Sequence, residues 1–211
     1  MAVFGACRFC NIVSGRYQHV GVDQPFEISD DFIAVASIGA FIEGWSLIVP
    51  KEHQLSMLKV YKDKKFEEFA SSVIARLSIK YGSLIAFEHG SNKEGSITAC
   101  GTDHAHLHLV PYKISLLSNL QASNLQWDYC KASEIEDKVG NKEYLFYSDL
   151  GLEQSWKSRR GYLHVLTNPI SQFFRNLLAD MDGLPERADY KMFPYLERSQ
   201  QTRKALVGID I

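Results

Sequence analysis

The chain has few cysteines and prolines, no excess of either charge and no long apolar run. Its 211 residues include four Cys and six Pro, and 23 basic against 25 acidic side chains give a formal net charge of -2. Four cysteines are too few for a disulfide-built secreted domain. Balanced charge argues against binding to nucleic acid through a global basic excess, so the charge gives no indication of a nucleic-acid partner, although a local basic patch stays open. A hydrophobic share of 45% and a charged share of 23% are those of a folded globular protein.

Segments for membrane insertion and export are also missing from the sequence. No stretch approaches the ~18 apolar residues of a membrane helix. The start of the chain lacks a charged region and the roughly 7–15 apolar residues of a signal peptide. We therefore expect a cytoplasmic protein that has no membrane partner and keeps its cysteines reduced.

Hydrophobic periodicity predicts an α+β protein with an antiparallel sheet and one long helix. Phe66, Phe69, Val73 and Leu77 recur every three or four residues, as on one face of a helix. In chain order we predict strands 26–29, 32–36 and 46–49, a helix 56–81, a strand 84–88, a loop 89–102 and a strand 104–110. The second half predicts a long hairpin of strands 143–148 and 162–166, followed by helices 171–181 and 195–207.

The most informative segment holds three histidines, His104, His106 and His108, which alternate with small or apolar residues. Side chains alternate between the two faces of a strand, so the three imidazoles are expected on one face. Three interpretations compete: a solvated strand face, a three-histidine zinc site, and nucleophilic catalysis in which a neutral imidazole attacks phosphorus. The third needs an acceptor for the other ring nitrogen of the nucleophile, and a backbone carbonyl is the expected one.

The sequence is similar to the histidine-triad (HIT) superfamily of nucleotide hydrolases and transferases. His-x-His-x-His followed by two apolar residues is the signature of that superfamily, and residues 104–110 match it. The opening Cys7-Arg8-Phe9-Cys10 resembles that of many bacterial members, and residues 47–53 (LIVPKEH) resemble the strand and Pro-Lys-x-His turn before their long helix. The match covers about residues 7–112, so the chain resembles a longer bacterial-type member with an extension.

The resemblance implies roles for the three histidines. His106 would be the nucleophile, His108 would contact the α-phosphate and its bridging oxygen, and His104 would support the site. The implied reaction is cleavage of a nucleotide-containing small molecule at its α-phosphate through a covalent nucleotidyl-histidine intermediate. Hydrolysis is favoured over transfer because His108 completes the triad, where uridylyl-transferring relatives carry Gln.

The resemblance also implies a structural zinc ion held by Cys7, Cys10, His53 and His104. Two thiolates and two imidazoles form a closed tetrahedral site, which would fasten the N-terminus to the histidine strand. The alternative is a pair of unmetallated core cysteines. No organic cofactor is implied.

The substrate pocket departs from the small members of the family. Ser37 stands where they carry the Asp that holds the ribose. Trp45 follows Gly44 at a step where they often have His, and it would either stack on a base or pack in the core. His89 would be a substrate ligand or an acid on a loop that closes over the phosphates, or an ordinary loop histidine. Thr102 and Asp103, the remaining candidate substrate-binding residues, flank the triad and would orient it.

We predict two parts, a HIT-like catalytic domain at 1–114 and, at 115–211, a C-terminal hairpin-and-helix extension packed on the core. Arg175 in the extension would reach a substrate phosphate or form a surface salt bridge. Small members form dimers through their sheets, so a homodimer is a further expectation. The alternatives to a hydrolase are a nucleotidyltransferase or phosphorylase of the same superfamily and a non-catalytic nucleotide- or RNA-binding module.

Overall fold

One antiparallel β-sheet runs through the computed structural model, which describes residues 7–152 and 155–209. Its strands, within those ranges, are β1 (Glu27–Ile28), β2 (Phe32–Ala36), β3 (Ser46–Pro50), β4 (Leu84–Gly90), β5 (Leu107–Pro111), β6 (Asp128–Lys131), β7 (Tyr144–Gly151) and β8 (Arg160–Val165). They lie in the order β1-β2-β3-β5-β4-β7-β8-β6, and every neighbouring pair is antiparallel. The predicted α+β class with an antiparallel sheet is confirmed.

Helices cover both faces of this sheet. They are α1 (Arg8–Val13), α2 (Lys64–Tyr81), α3 (Leu117–Ala122), α4 (Ile135–Val139), α5 (Phe173–Met181) and α6 (Leu196–Leu206). Short 3₁₀ turns occur at Val60–Lys62, Ile97–Ala99, Ala132–Glu134 and Pro185–Arg187. Across the described residues, none of the helices combines the length and the apolar character that crossing a bilayer requires.

The long helix α2 begins eight residues later than the predicted start at 56. Asp63 has extended backbone angles, and its side chain accepts a hydrogen bond from the backbone N–H of Lys65 at 2.9 Å, which caps the helix. The residues before it form a 3₁₀ turn instead. The predicted end is confirmed, since Gly82 has φ +81° and its backbone N–H donates to the carbonyl of Ser78 in the last turn.

Two apolar clusters lie on opposite faces of the sheet. On the α2 side, Phe66 and Val73 pack against Leu107 and Leu109 of β5. On the other face a second cluster contains Trp45, Phe87 and Phe174 together with Phe9 of α1. The alternation of β5 therefore places its leucines under α2 and leaves His108 on the face that α1 and α5 cover.

The segment after residue 114 extends the same sheet. β7 pairs with β4 along its length, from Leu84 opposite Gly151 to Gly90 opposite Tyr144, and β8 and β6 follow outward. The predicted hairpin corresponds to β7 and β8, whereas no pattern in the sequence indicated the short elements α1, α3, α4 and β6. The division of the chain at 114 stays a prediction.

Two strand boundaries near the histidines differ from the prediction. β4 continues through His89 to Gly90, so His89 lies on a strand and not in the predicted loop. β5 starts only at Leu107 because the residues before it leave the sheet. There the backbone N–H of Ala105 donates to the carbonyl of Gln54 at 2.6 Å instead of to a neighbouring strand.

Candidate active site and metal site

Cys7, Cys10, His53 and His104 come together at the N-terminal end of the histidine segment. Cys7 caps α1 and Cys10 lies in its first turn, so the C-x-x-C spacing directs both thiols to one side. The Sγ of Cys10 lies 3.3 Å from Nδ1 of His53 and 3.6 Å from Nδ1 of His104, and the Sγ of Cys7 lies 3.3 Å from the same His104 nitrogen. All four possible ligand atoms lie within 4.8 Å of one another.

This donor set fits a tetrahedral metal ion. Bonds of about 2.0–2.3 Å to nitrogen and sulfur give donor–donor edges of about 3.3–3.8 Å, and the three sulfur–nitrogen distances above fall in this range. Nε2 of His104 lies 2.8 Å from the carbonyl oxygen of Pro50. Since a carbonyl only accepts, Nε2 carries the proton, and Nδ1 of the neutral ring keeps its lone pair toward the thiols.

His106 is oriented by the backbone of the histidine segment itself. Its Nδ1 lies 2.8 Å from the carbonyl oxygen of His104, so Nδ1 donates and Nε2 keeps the lone pair of the neutral ring. Phe9 packs against the ring, with centroids 5.4 Å apart. The acceptor is therefore a backbone carbonyl, as the sequence interpretation expected.

His108 is oriented from the opposite direction. The indole Nε1–H of Trp45 donates to its Nδ1 at 2.9 Å, so the proton of the neutral imidazole lies on Nε2. Phe87 stacks on the same ring, with centroids 4.5 Å apart and planes 17° from parallel. The rings of His106 and His108 are adjacent, 4.8 Å between centroids.

A cavity of about 420 Å³ opens in front of these two rings. Of the predicted substrate-binding residues, Ser37, His89 and Thr102 line it, together with His106 and His108. Two others do not. Trp45 is fully buried behind His108, and Asp103 binds the backbone N–H of Gly95 at 3.0 Å.

Burial keeps the imidazoles of His89, His106 and His108 neutral. It lowers the pKa of His106 to about 4, against the opposing effect of the hydrogen bond to the His104 carbonyl. It lowers the pKa of His89 to about 3, with contributions from His106 and Arg175, and lowers that of His108 well below its ordinary value. Near pH 7 each of these rings therefore offers one lone pair and one N–H.

The comparisons with known proteins give structural neighbours only. No protein-family model matches the chain, and no curated protein matches it. A HIT-like protein of Bartonella henselae, described as involved in cell-cycle regulation and solved with an unknown ligand, is 16% identical with a TM-score of 0.37, over 49% of this chain and 76% of its own. A hypothetical histidine triad nucleotide-binding protein of Sulfolobus tokodaii is 20% identical with a TM-score of 0.38, over 50% of this chain and 68% of its own.

A third neighbour, SMU.412c of Streptococcus mutans, is 25% identical with a TM-score of 0.39, over 64% of this chain and 86% of its own. With TM-scores below 0.4, all three illustrate a partial likeness of fold and carry nothing about activity.

Sequence reasoning missed several residues of the cavity. Arg8, Tyr190 and Lys191 line it, but only the position of Arg8 inside the C-x-x-C motif gave any signal. Arg175, which the sequence did single out, also lines the cavity. It is only 4% exposed and is not on the helix surface.

Proposed function

We propose that the protein is a nucleotide hydrolase of the histidine-triad type, in which His106 attacks the α-phosphate of a nucleotide-containing substrate. One observation carries the proposal. The hydrogen bond from His106 Nδ1 to the His104 carbonyl leaves Nε2 as a lone-pair nitrogen on a residue that lines the cavity. A neutral imidazole with a free nitrogen is the form that acts as a nucleophile.

His108 supplies the complementary group. Its Nδ1 accepts from Trp45, so Nε2–H is the donor that remains for a substrate. In the first step the Nε2 lone pair of His106 forms a bond to phosphorus while the bond from phosphorus to the leaving group breaks, and the leaving group departs with that electron pair and takes a proton from solvent. The Nε2–H of His108 donates a hydrogen bond to the negative charge that develops in this step. In the second step water attacks phosphorus and loses its proton to solvent, while the P–N bond breaks and returns its electron pair to His106.

The metal site has a supporting role in this proposal. Cys7, Cys10, His53 and His104 would hold a zinc ion, which would supply a fixed structural cross-link and no chemistry on the substrate. The carbonyl that orients His106 belongs to His104, so one residue would both bind the metal ion and orient the nucleophile.

His89 is not assigned the role of an acid, since its Nε2 accepts a hydrogen bond from the backbone N–H of Phe174 at 3.4 Å. Cytoplasmic location and a homodimer stay predictions.

Turnover assays and trapping of the intermediate test the proposal. The protein is incubated with adenosine phosphoramidate, dinucleoside polyphosphates and adenylylated ends, and acid-quenched samples are analysed for a covalent nucleotidyl adduct by mass spectrometry. We expect His106→Ala to lower turnover by about four orders of magnitude or more and to abolish the adduct. His164→Ala is the control, because the Nδ1 of His164 is bound to the carbonyl of Gln126 outside the cavity.

Three results bear on the alternatives. Full turnover in His106→Ala would remove the nucleophile assignment. An adduct that passes to an added phosphate or nucleotide faster than to water would indicate a transferase or phosphorylase. No turnover of any substrate, with tight binding of nucleotide or RNA, would favour a non-catalytic module.

A further inference from the structure

Arg175 carries a buried positive charge next to the cavity. It lies on α5, is 4% exposed and lines the cavity together with His106 and His108. Its Nε donates to the carbonyl of Ala188 at 3.1 Å, and a terminal nitrogen donates to the carbonyl of Gly39. Among the ion pairs of the described residues, none involves Arg175.

A buried guanidinium without a carboxylate is costly to maintain. Aromatic faces offset part of that cost, because its Cζ lies 4.7 Å from the ring centroid of Trp45 and 5.8 Å from that of Tyr190. Burial lowers the pKa of Arg175 only to about 10, so the group stays charged near pH 7. No carboxylate of the described residues forms an ion pair with Arg175, although the charge of Asp189 acts on it from a greater distance and opposes the lowering of its pKa.

The cavity as a whole is positively charged. Its described lining contains Arg8, Arg175 and Lys191 and no Asp or Glu. Arg8 is neutralised, because it binds the fully buried Asp23 at 2.6 Å. The remaining positive charge therefore comes from Arg175 and Lys191, both supplied by the segment after residue 114.

Of these two cations, Arg175 lies on the His108 side of the cavity. The guanidinium of Arg175 packs over the indole ring of Trp45, and the indole N–H donates to His108. Lys191 lies beside the loop that contains Gly101, since a Cβ added to Gly101 would be 3.2 Å from the Nζ of Lys191. Arg8 belongs to the opposite side, where Phe9 packs against His106.

We propose that Arg175 and Lys191 form an anion subsite that takes a second phosphate of the substrate, beyond the phosphorus that His106 attacks. This inference rests on the proposed function and deepens it. A guanidinium and an ammonium group are suited to phosphate oxygens, and Arg175 lies next to His108, whose Nε2–H would donate to the charge on the leaving group. The substrate class is then a nucleotide with a phosphoanhydride link and an anionic leaving group, in preference to one whose leaving group is neutral.

Equilibrium binding of AMP and ADP tests the subsite. Full-length His106→Asn protein, which cannot form the covalent intermediate, is titrated with each nucleotide by calorimetry. We expect ADP to bind about tenfold or more tightly than AMP, the ratio that one charge-assisted phosphate contact of about 1.4 kcal/mol gives. Arg175→Met in the same background should bring the ratio close to one, and Arg175→Lys should restore part of it.

Lys191 provides a variant without a structural burden, because its side chain is exposed. We expect Lys191→Met to lower the ratio by about two- to fivefold and to weaken its dependence on salt. Lys204→Met, an exposed change on α6 away from the cavity, should leave the ratio unchanged. The ratio of ADP to AMP affinity is measured within each variant, so a general loss of affinity cancels. If Arg175→Met does not fold, the result for Lys191→Met alone decides whether the subsite exists.

Each outcome has a definite meaning. Equal affinity for AMP and ADP in the His106→Asn protein that keeps Arg175 and Lys191 would overturn the subsite and leave the proposed function intact. A preference for ADP that survives both Arg175→Met and Lys191→Met would do the same. No binding of either nucleotide would overturn both.

Discussion

Trp45 and His108 are 63 residues apart in the chain and share a buried hydrogen bond, from the indole Nε1–H to the imidazole Nδ1 at 2.9 Å. Because an indole nitrogen can only donate, this contact assigns the proton of the neutral His108 ring to Nε2. The carbonyl of His104 assigns the proton of His106 to Nδ1. Adjacent rings in the same segment thus present opposite forms, a lone pair on one and an N–H on the other.

Replacing Trp45 by Phe should remove the hydrogen bond that keeps the proton of His108 on Nε2. Nitrogen chemical shifts of the imidazole, measured by NMR, should show Nε2 protonated in the parent and a mixture of tautomers in the variant. We expect turnover to fall by about tenfold and the free energy of unfolding to fall by about 1–3 kcal/mol, because the site is fully buried. Trp127→Phe is the matched control, since its indole binds Ser123 outside the cavity. Unchanged shifts in Trp45→Phe would contradict the assignment.

The metal site predicts one zinc ion per chain. Protein purified without chelator should contain about one equivalent of zinc by elemental analysis, and Cys10→Ser should lose it and unfold at a lower temperature, because metal binding contributes to folding. Cys130→Ser is the control, since Cys130 is equally buried but lies in the cluster on the α2 face. Retention of a full equivalent of zinc by Cys10→Ser, or no metal in the parent after growth with zinc, would remove the site.

Glu88 should make the stability of the protein decrease as pH rises. It is fully buried and accepts hydrogen bonds from the backbone N–H of Met57 and the hydroxyls of Tyr61 and Tyr144, at 2.7, 2.7 and 2.5 Å. Burial outweighs these donors and raises the pKa of Glu88 from 4.5 to about 7. Between these values the folded state holds a proton that the unfolded state has released, so the free energy of unfolding falls as pH rises across that window.

The change is measured as a difference between variants. The stability of the parent minus that of Glu88→Gln, from urea unfolding, should decrease by up to about 3 kcal/mol between about pH 4.5 and 7.5. Contributions of other groups cancel in this difference. For Glu68→Gln, an exposed change on α2, the same difference should be flat. A flat difference for Glu88→Gln would show that its pKa is not raised.

The C-terminal helix should stabilise the turn that presents Trp45. The buried backbone N–H of Gly44 donates to the hydroxyl of Thr202 on α6 at 2.9 Å. Thr202→Val leaves this N–H without its acceptor and should lower the free energy of unfolding by about 1–3 kcal/mol, with lower turnover through the displacement of Trp45. Thr202→Ser keeps the hydroxyl and should behave like the parent. Equal unfolding curves for the valine and serine variants would argue against this contact.

The sequence by itself determined the features that depend on local pattern. The period of α2 follows from Phe66, Phe69, Val73 and Leu77, and its end follows from Gly82. The alternation of residues 104–109 places the leucines toward one core. Spacing along the chain is sufficient for these features, because helices and strands have fixed periods. The four metal donors were implied by the family resemblance and not by spacing, and they come together only in the fold.

Only the tertiary structure decided which nitrogen of His108 carries its proton and which charges face the cavity. Those outcomes depend on Trp45, which lies 63 residues from His108, and on Arg175, which binds the carbonyl of Gly39, 136 residues away. No local propensity encodes such contacts, because they arise when the strands order β3-β5-β4-β7 and the helices of the extension cover one face. Burial then makes each hydrogen bond and each unpaired charge matter, because water is no longer available as a substitute partner.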